Sequence, residues 1–183
     1  MKCVDLSKYD NSWFRIGAGN VKCCVWYVIN AIFFCSRINP FSCLKVFLLR
    51  MFGAKIGCGV VIKQSVNIKY PWNLTIGDNS WIGENVWIDN LDKVNIGKNV
   101  CISQGEMLLC GNHNYNKASF DLMTGKIILE DGVWVGAKCV ICPDVTMYSH
   151  SVLTVGSIAV HDCKAYAIYK GNPAVKIKDR IIE

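Results

Sequence analysis

No stretch of this chain approaches the roughly 20 consecutive apolar residues that a membrane-spanning helix requires. The run from Cys23 to Cys35 is apolar, but it is short and contains Asn30. It also lacks the basic start and the small-residue cleavage pattern of a secretory signal peptide. We therefore expect a cytoplasmic protein, with any membrane contact being peripheral and at the inner face.

Disulfide and metal-ligand patterns are also missing. The 11 cysteines are an odd number with irregular spacing, which indicates reduced thiols rather than a secreted disulfide framework. Cys139 and Cys142 are expected not to converge, and no second Cys or His pair stands at ligand spacing, so we predict no metal site. The net charge of +6 indicates anionic partners such as phosphates, nucleotides or a membrane surface, but we expect no nucleic acid.

What the chain does contain is a six-residue repeat between Ile76 and Met107. The first units are Ile76 to Trp81 and Ile82 to Trp87, and the phase resumes at Ile96 after a short interruption. Each unit begins with an aliphatic residue, often has glycine second, and usually has a small or β-branched residue fifth. Such a repeat is typical of a parallel β-helix, in which three short strands form one triangular coil.

A longer period of 20 residues supports this interpretation, because it separates Ile56-Gly57, Ile76-Gly77 and Ile96-Gly97. The six-residue phase returns late in the chain at Val135, Ile141, Met147, Leu153 and Ala159. Strands of a β-sandwich are the alternative, but their turns recur irregularly, about every 8–12 residues. We predict an all-β protein, a parallel β-helix with the aliphatic first residues inside and with glycine easing the corner turns.

Residues 1–55 precede the repeat and divide into a lead-in and two helices. The apolar stretch 21–36 is expected to be helical, Asn39-Pro40 ends it, and a second helix is predicted from Phe41 to Phe52. We interpret this region as a helical cap, since an open β-helix end exposes unpaired strand edges. Contact with a membrane surface or a lipid-linked substrate is the alternative. Residues 56–183 are expected to form the β-helix domain, whose coil ends near Asp162 and is followed by a C-terminal tail.

The longest interruption of the repeat is the excursion at residues 110–128. A long loop in a compact repeat is usually functional. His113 lies on its glycine-containing turn and is expected to project from a corner of the prism. Since histidine can act as a general base near neutral pH, His113 is the candidate catalytic residue. The other two histidines, His150 and His161, are expected to be structural or exposed.

Several further segments form an ordered set with the sixes and the His113 loop: Asp5-Leu6-Ser7, Phe47 to Gly57, Tyr70-Pro71-Trp72, Leu129 to Ala137, Cys142 to Thr146 and Gly171 to Ala174. Together they resemble the hexapeptide-repeat acyltransferases over nearly the whole chain. Within that family they resemble the maltose and galactoside O-acetyltransferases and the colanic acid biosynthesis acetyltransferases. The resemblance implies left-handed β-helices that form a homotrimer, an exception to right-handed crossovers.

The resemblance also implies an activity: O-acetylation of a sugar or glycan hydroxyl by acetyl-CoA, in exopolysaccharide or surface-glycan synthesis. His113 matches the family's catalytic histidine. The residues that match CoA-binding positions are Trp134, Gly136, Ala137, Val155, Gly156, Ser157 and Lys178, the last near the 3′-phosphate. Glu84 and Asn85 lie where relatives place acceptor contacts, and Tyr115 is a further substrate candidate. A thioester is already a good acyl donor, so no covalent enzyme intermediate is implied.

The chain departs from the family pattern in places. Val160-His161 and Cys163-Lys164 replace a Thr-Lys pair and a turn that often holds proline, which weakens the CoA contacts implied there. Asn114 follows the histidine where relatives often have aspartate, so a backbone carbonyl or another side chain must orient His113. Two other classes stay open: a non-catalytic β-helix scaffold, and a metalloenzyme like the γ-class carbonic anhydrases, which needs three converging histidines.

Overall fold

The computed structural model describes residues 3–183, so the first two residues of the predicted cap region lie outside the described residues. Its main body is a stack of short strands. In chain order these are β1 (Lys55–Ile56), β2 (Val61–Ile62), β3 (Asn67–Ile68), β4 (Leu74–Ile76), β5 (Trp81–Ile82), β6 (Trp87–Asp89), β7 (Val94–Ile96), β8 (Cys101–Ile102), β9 (Met107–Leu109), β10 (Gly111–His113), β11 (Leu122–Thr124), β12 (Ile127–Leu129), β13 (Trp134–Val135), β14 (Val140–Ile141), β15 (Thr146–Met147), β16 (Val152–Leu153), β17 (Ile158–Ala159), β18 (Ala167–Gly171) and β19 (Ala174–Asp179).

Apart from the two-stranded β10-β11 sheet, the strands form three sheets, one on each side of a triangular prism. Sheet A has the order β1-β4-β7-β12-β15, sheet B the order β19-β18-β16-β13-β8-β5-β2, and sheet C the order β17-β14-β9-β6-β3. Successive coils pair in parallel, with Ile56 opposite Ile76 and Ile76 opposite Ile96. The 20-residue period of the sequence is therefore the length of one coil.

The interior of the prism is a continuous apolar stack. The first residue of each six points inward and is almost completely buried, as expected from the pattern. Because every coil places its aliphatic side chains on those of the coil below, burial is repeated along the whole axis. These stacked residues are Ile56, Ile62, Ile68, Ile76, Ile82, Ile88, Ile96, Ile102, Leu108, Leu129, Val135, Ile141, Met147, Leu153 and Ala159.

The prediction that the second-position glycines ease the corner turns is wrong. The residues with positive φ at the corners are the fourth of each six, among them Asn79 (57°), Asn85 (58°) and Asn99 (54°). Short polar side chains tolerate this conformation better than most. The glycines are required by close stacking instead, because a Cβ on Gly77 would lie 2.6 Å from the carbonyl carbon of Gly97.

Glu106 is an exception among the fifth positions, which otherwise bury small or β-branched side chains in the prism corners. The Glu106 residue is only 1% exposed. Oε2 accepts a hydrogen bond from the Cys139 N–H at 3.2 Å, whereas Oε1 has no hydrogen-bond partner among the described residues. Desolvation raises the pKa of Glu106 to about 9, although the Cys139 N–H opposes the shift. The carboxyl group is therefore neutral at physiological pH.

The predicted helices are present and cover the first coil. A short 3₁₀ turn (Leu6–Lys8) precedes α1 (Asn20–Ile29), which continues as a π-helical turn (Asn30–Phe34), and α2 spans Ser42–Met51. Trp26 Nε1 donates to the Ile68 carbonyl at 2.9 Å. Asn30 Nδ2 donates to Asn67 Oδ1 at 2.7 Å, so α1 closes the edge of β3. Among the described residues, none of the helices is long and apolar enough to cross a bilayer.

Two boundaries differ from the prediction. The coil resumes at Ile127, which pairs with Val94, rather than at Leu129. It also continues beyond Asp162, because Cys163 bridges to Met147 and β18 pairs in parallel with β16. The chain then reverses, and β19 pairs antiparallel with β18 at the end of sheet B.

Candidate active site

His113 lies on a β-hairpin that leaves the prism at the corner between sheets C and A. Strands β10 and β11 pair antiparallel, with His113 opposite Leu122. Gly111 begins the hairpin, and a Cβ there would meet the flexible end of the Leu91 side chain, 2.6 Å from Cδ1. The lead-in packs across the hairpin, because the Asp5 N–H donates to the Ala118 carbonyl at 2.8 Å. The excursion is thus an ordered element that presents His113 beside the prism.

The imidazole ring of His113 is held by Phe120. His113 Nδ1 lies 3.0 Å from the Phe120 carbonyl oxygen. The two rings stack with centroids 4.5 Å apart and an interplanar angle of 10°, and the Tyr9 ring lies 5.9 Å away. A carbonyl oxygen can only accept, so the proton of the neutral imidazole is on Nδ1 and Nε2 keeps its lone pair. This tautomer is the one that can accept a proton at Nε2.

The Phe120 backbone adopts an uncommon conformation to make this contact. Its φ is 51°, in the left-handed region that bulky side chains seldom occupy. Two features of the hairpin compensate: the Phe120 N–H donates to the Lys117 carbonyl at 3.1 Å, and Lys117 Nζ lies 2.9 Å from Asp121 Oδ2. Strained residues of this kind cluster at functional sites.

A cavity of about 480 Å³ opens beside His113. Asp89 is largely buried in it and forms an ion pair with Lys69, with Nζ 2.8 Å from Oδ1. Carboxylate, amide and phenol groups at this surface could hydrogen-bond a hydroxyl-rich ligand. The lining residues are Tyr9, Asn11, Lys69, Asp89, Leu91, Leu109, Gly111, Asn112, His113 and Leu122.

Most of these lining residues were missed by the sequence analysis. Lys69 and Asp89 could have been found from the 20-residue period. It places Asp89 one coil and Lys69 two coils below Leu109, the residue just before the excursion. Tyr9 could not have been found in this way, because the lead-in carries no repeat and its path across the hairpin depends on tertiary contacts.

The three predicted acceptor residues do not line this cavity. Glu84 lines a different one of about 420 Å³, together with Trp81, Ser103 and Gln104. Asn85 occupies a positive-φ corner position, and its N–H donates to the Gln64 carbonyl at 3.2 Å. Tyr115 lies at the hairpin tip, where its side chain is exposed. The structure therefore brings none of Glu84, Asn85 and Tyr115 into the His113 cavity.

A third cavity, of about 520 Å³, lies on sheet B and contains several predicted CoA-binding residues. Trp134 projects outward from β13, and its Nε1 donates to Ser103 Oγ at 3.1 Å. Lys178 lies on β19, and three cations at this end of the sheet could attract phosphate groups. The lining residues are Trp134, Val152, Thr154, Val155, Ile168, Lys170, Ile177, Lys178 and Arg180.

The remaining predicted residues of this group lie at the corner between sheets B and C. Gly136 has no room for a side chain, since a Cβ would lie 2.8 Å from the Leu153 carbonyl oxygen. The Gly156 N–H donates to the Ala137 carbonyl at 2.8 Å, and the space beside Gly156 is open. Ser157 is buried inside the coil, and its hydroxyl accepts from the Gly171 N–H at 2.9 Å. Its side chain therefore holds the tail rather than facing the cavity.

The His113 cavity and the Trp134 cavity have no lining residue in common within the described chain. His113 projects from the corner between sheets C and A, whereas Trp134 projects from sheet B. One copy of the chain therefore keeps the candidate base and the candidate CoA surface apart.

The structure does not bring the three histidines together. His150 stacks on Tyr166 with centroids 4.8 Å apart, and His161 is exposed. Cys139 is buried in the prism, where its Sγ lies 3.0 Å from the Thr154 carbonyl oxygen. Within residues 3–183, no group of three or more His, Cys, Asp or Glu side chains is placed to hold a metal ion.

Solved structures share this architecture. A hexapeptide-repeat-containing acetyltransferase of Vibrio cholerae superposes with a TM-score of 0.80 at 19% identity, covering 91% of this chain and 96% of that one. A maltose O-acetyltransferase from Clostridium difficile superposes with a TM-score of 0.75 at 19% identity, covering 88% of each chain. These likenesses confirm the predicted fold class, an all-β left-handed parallel β-helix with an N-terminal helical cap. The fold is that of the hexapeptide-repeat acetyltransferases.

Sequence comparisons identify the family. No family model matches the chain. WcaF of Escherichia coli (strain K12), named as a colanic acid biosynthesis acetyltransferase, is 34% identical over 165 residues, which cover 90% of this chain and 91% of WcaF. The galactoside O-acetyltransferase of the same strain is 27% identical over 135 residues, 72% of this chain and 66% of that protein. The chain belongs to the hexapeptide-repeat acetyltransferase family of WcaF, and it is an acyltransferase.

Proposed function

We propose that the protein transfers the acetyl group of acetyl-CoA to a hydroxyl group of a sugar in exopolysaccharide or surface-glycan synthesis, on the cytoplasmic side of the membrane. The observation that carries the catalytic assignment is the contact between His113 Nδ1 and the Phe120 carbonyl, which leaves Nε2 unprotonated. The acceptor class is supported by the polar lining of the His113 cavity and by two relatives, one named for colanic acid biosynthesis and the other for galactoside O-acetylation.

In the proposed mechanism His113 acts first as a base and then as an acid. Nε2 takes the proton of the sugar hydroxyl while the hydroxyl oxygen attacks the thioester carbonyl carbon. The carbonyl oxygen becomes an oxyanion, for which backbone N–H groups are the simplest hydrogen-bond donors. The tetrahedral intermediate then expels the CoA sulfur, which receives the proton from the imidazolium, and the products are the acetyl ester and free CoA. Because the thioester is itself activated, His113 is the only proton carrier required.

For the donor, we propose that CoA lies along Trp134, Gly136, Ala137, Val155 and Gly156. The exposed indole and valine side chains offer apolar surface to the pantetheine arm. Lys178, with Lys170 and Arg180 in the same cavity, provides positive charge for the phosphates. Ser157 supports this surface through its bond to Gly171.

We also propose that the active unit is a homotrimer, in which a neighbouring copy supplies the His113 cavity that faces this CoA surface. The outward-facing side chains of the three sheets support this assembly. Sheet B presents Trp81 and Trp134, and sheet C presents Trp87, whereas sheet A presents polar residues such as Lys55 and Asn95. Two apolar faces and one polar face match a prism that packs against neighbours on two sides.

Incubation of the purified protein with acetyl-labelled acetyl-CoA and a panel of glycans, followed by location of the label, tests the proposed activity. His113→Ala should lower kcat by about 10²–10⁴-fold, because general-base catalysis has that range. Its affinity for CoA, measured by calorimetry, should stay close to that of the wild type. His161→Ala, at an exposed histidine outside the hairpin, is the matched control and should leave kcat unchanged.

Two outcomes would contradict the proposal. If His113→Ala kept more than about half of the wild-type rate at saturating acceptor, the loss would be far below the general-base range, and His113 would not be the base. If CoA bound normally but no glycan received label, the acceptor would not be a sugar.

A further inference from the structure

The positive charge of the protein is concentrated in the cap and the first coil. Residues 11–77 contain eight of the 20 basic residues and none of the 14 acidic residues. The rest of the chain holds the other 12 basic residues against all 14 acidic ones, so the net charge of +6 arises from this segment. An acid-free basic region of this length attracts an anionic surface.

Helix α1 and its π-helical continuation are apolar on two opposite faces. Trp26 and Phe34 pack against the first coil and are buried. The opposite face carries Val21, Val25, Val28 and Ile32, whose spacing of four, three and four residues forms a single stripe. All four side chains of the stripe are exposed, with Val21 78% accessible. A helix that is apolar all round is normally buried on all sides, so this stripe lacks its partner.

The rest of the cap exposes further apolar side chains. Ile38 lies in the loop between the helices and is 90% accessible. Helix α2 exposes Phe47 and Met51, which are four residues apart and therefore lie on one face of the helix. We call this exposed apolar set the cap surface, and its members are Val21, Val25, Val28, Ile32, Ile38, Phe47 and Met51. Monomeric soluble proteins rarely expose large apolar areas without a function, so this number of exposed apolar side chains in one short cap indicates a binding surface.

Exposed cations adjoin the cap surface. Arg37 precedes Ile38 in the chain and is exposed. Lys63 lies directly below α2, because its backbone carbonyl accepts a hydrogen bond from the buried Lys45 Nζ. The Arg50 guanidinium donates to the Ile56 and Gly57 carbonyls at 2.8 Å, which fixes its charge at the junction of α2 and the first coil. Apolar side chains and basic side chains are therefore presented together.

We propose that the cap surface docks on an anionic phospholipid membrane, with the apolar stripe at the headgroup boundary and the flanking cations on the lipid phosphates. Interfacial helices bind by this combination of apolar burial and attraction to anionic lipids. A second copy of the chain would cover the apolar stripe but not explain the charge, since two acid-free basic regions would face each other and repel. A membrane satisfies both features.

Docking would place the candidate active site next to the membrane. Lys69 lines the His113 cavity and also the apolar cavity below α1, so the two adjoin. An acceptor glycan carried on a membrane lipid would then be presented at His113. This consequence rests on the proposed function, whereas docking itself does not.

Co-sedimentation of the full chain with vesicles tests the proposal without any acetyl transfer. The protein should bind vesicles of phosphatidylcholine that contain phosphatidylglycerol, bind pure phosphatidylcholine vesicles much less, and be released by salt. The triple variant Val21→Ser, Val28→Ser, Ile32→Ser should weaken binding about tenfold or more, because each substitution removes an apolar side chain that would insert at the headgroup boundary. The matched control Val175→Ser, Ile181→Ser, Ile182→Ser removes three exposed apolar side chains from the tail and should bind like the wild type.

A charge series completes the test. Arg37→Gln with Lys63→Gln should weaken binding about tenfold, because each cation near an anionic surface contributes to affinity. Lys93→Gln with Lys126→Gln makes the same charge change outside the segment and should have little effect. Ile38→Ser, in the loop, keeps the test valid if the triple variant does not fold.

Three results would overturn the proposal: no sedimentation with anionic vesicles, equal binding by cap and tail variants, or a change of oligomeric mass in the cap variants, which would show a protein partner instead. Acetyl transfer to a soluble glycan without vesicles is measured separately. A failure of docking is thus distinguishable from a failure of the proposed activity.

Discussion

Replacing Glu106 by glutamine should stabilise the protein at and above neutral pH. The carboxyl group is buried in a prism corner, and desolvation raises its pKa to about 9. In the unfolded chain the same group ionises near ~4.3. Between these two pH values the native state holds a proton that the unfolded state has released. Stability is therefore greatest below the unfolded pKa and decreases as the pH rises towards the folded pKa.

The size of the effect follows from the distance between the assay pH and the unfolded pKa. An assay pH of about 7.5 is some three units above the pKa of the carboxyl group in the unfolded chain. At 1.36 kcal/mol per unit, ionisation in the unfolded state lowers the free energy of unfolding by ~4 kcal/mol. Glutamine has the same shape, keeps an oxygen to accept from the Cys139 N–H, and does not titrate. We expect Glu106→Gln to raise the free energy of unfolding by roughly 2–4 kcal/mol at this pH and to change it little near about pH 5.

The assay is urea unfolding followed by circular dichroism at both pH values and at one fixed protein concentration, since oligomerisation makes stability concentration-dependent. Glu84→Gln, an exposed residue at the equivalent corner of the preceding coil, is the matched control and should not alter the pH dependence. If wild type and Glu106→Gln lost the same stability between about pH 5 and pH 7.5, the buried carboxyl would not be the titrating group, and the linkage argument would fail.

Three further predictions concern the proposed active site. Ala137→Trp should abolish CoA binding in calorimetry while the thermal unfolding midpoint stays near that of the exposed-site control Lys164→Trp; unchanged affinity would move the CoA surface elsewhere. Phe120→Ala should lower kcat by about 10–10²-fold with little change in KM, because a displaced imidazole costs rate rather than binding; an unchanged kcat would show that Phe120 does not position His113. Light scattering should give three times the chain mass of 20.5 kDa, and a monomer at micromolar concentration would refute the trimer.

The coils could be predicted because their determinants are local and periodic. Each inward position requires an aliphatic side chain every six residues, and each close stacking position excludes a Cβ, so Ile76 and Gly77 recur in register with Ile96 and Gly97. The two misplaced boundaries have different causes. Ile127 lies two residues before the first inward position of its six, as Val94 does in the coil below, so the repeat itself does not mark it. The turn at Cys163 inserts a length that is not a multiple of six, so the strand that begins at Ala167 rejoins the coil out of phase with the preceding repeat.

The orientation of His113 could not be predicted for a different reason. Its partner is a backbone carbonyl, which every residue possesses, so no residue type in the sequence marks it. The pairing of β10 with β11 brings Phe120 to His113, and the positive φ of Phe120 accompanies the turn of its carbonyl towards Nδ1. Asn114 replaces the aspartate common among relatives and stabilises the hairpin turn instead, since its Oδ1 accepts a hydrogen bond from the Asn116 N–H at 3.1 Å.

This arrangement has a consequence for the proposed chemistry. A carboxylate beside Nδ1 would fix the tautomer and also stabilise the imidazolium that forms as Nε2 takes the proton. The Phe120 carbonyl fixes the tautomer but carries no full charge. Stabilisation of the imidazolium then depends on the ring stacking of His113 with Phe120 and on the carboxylate of Asp89, which lines the same cavity but is already paired with Lys69. Catalysis by His113 should therefore rely more on orientation than on charge, which is why substitution of the uncharged Phe120 is expected to affect kcat.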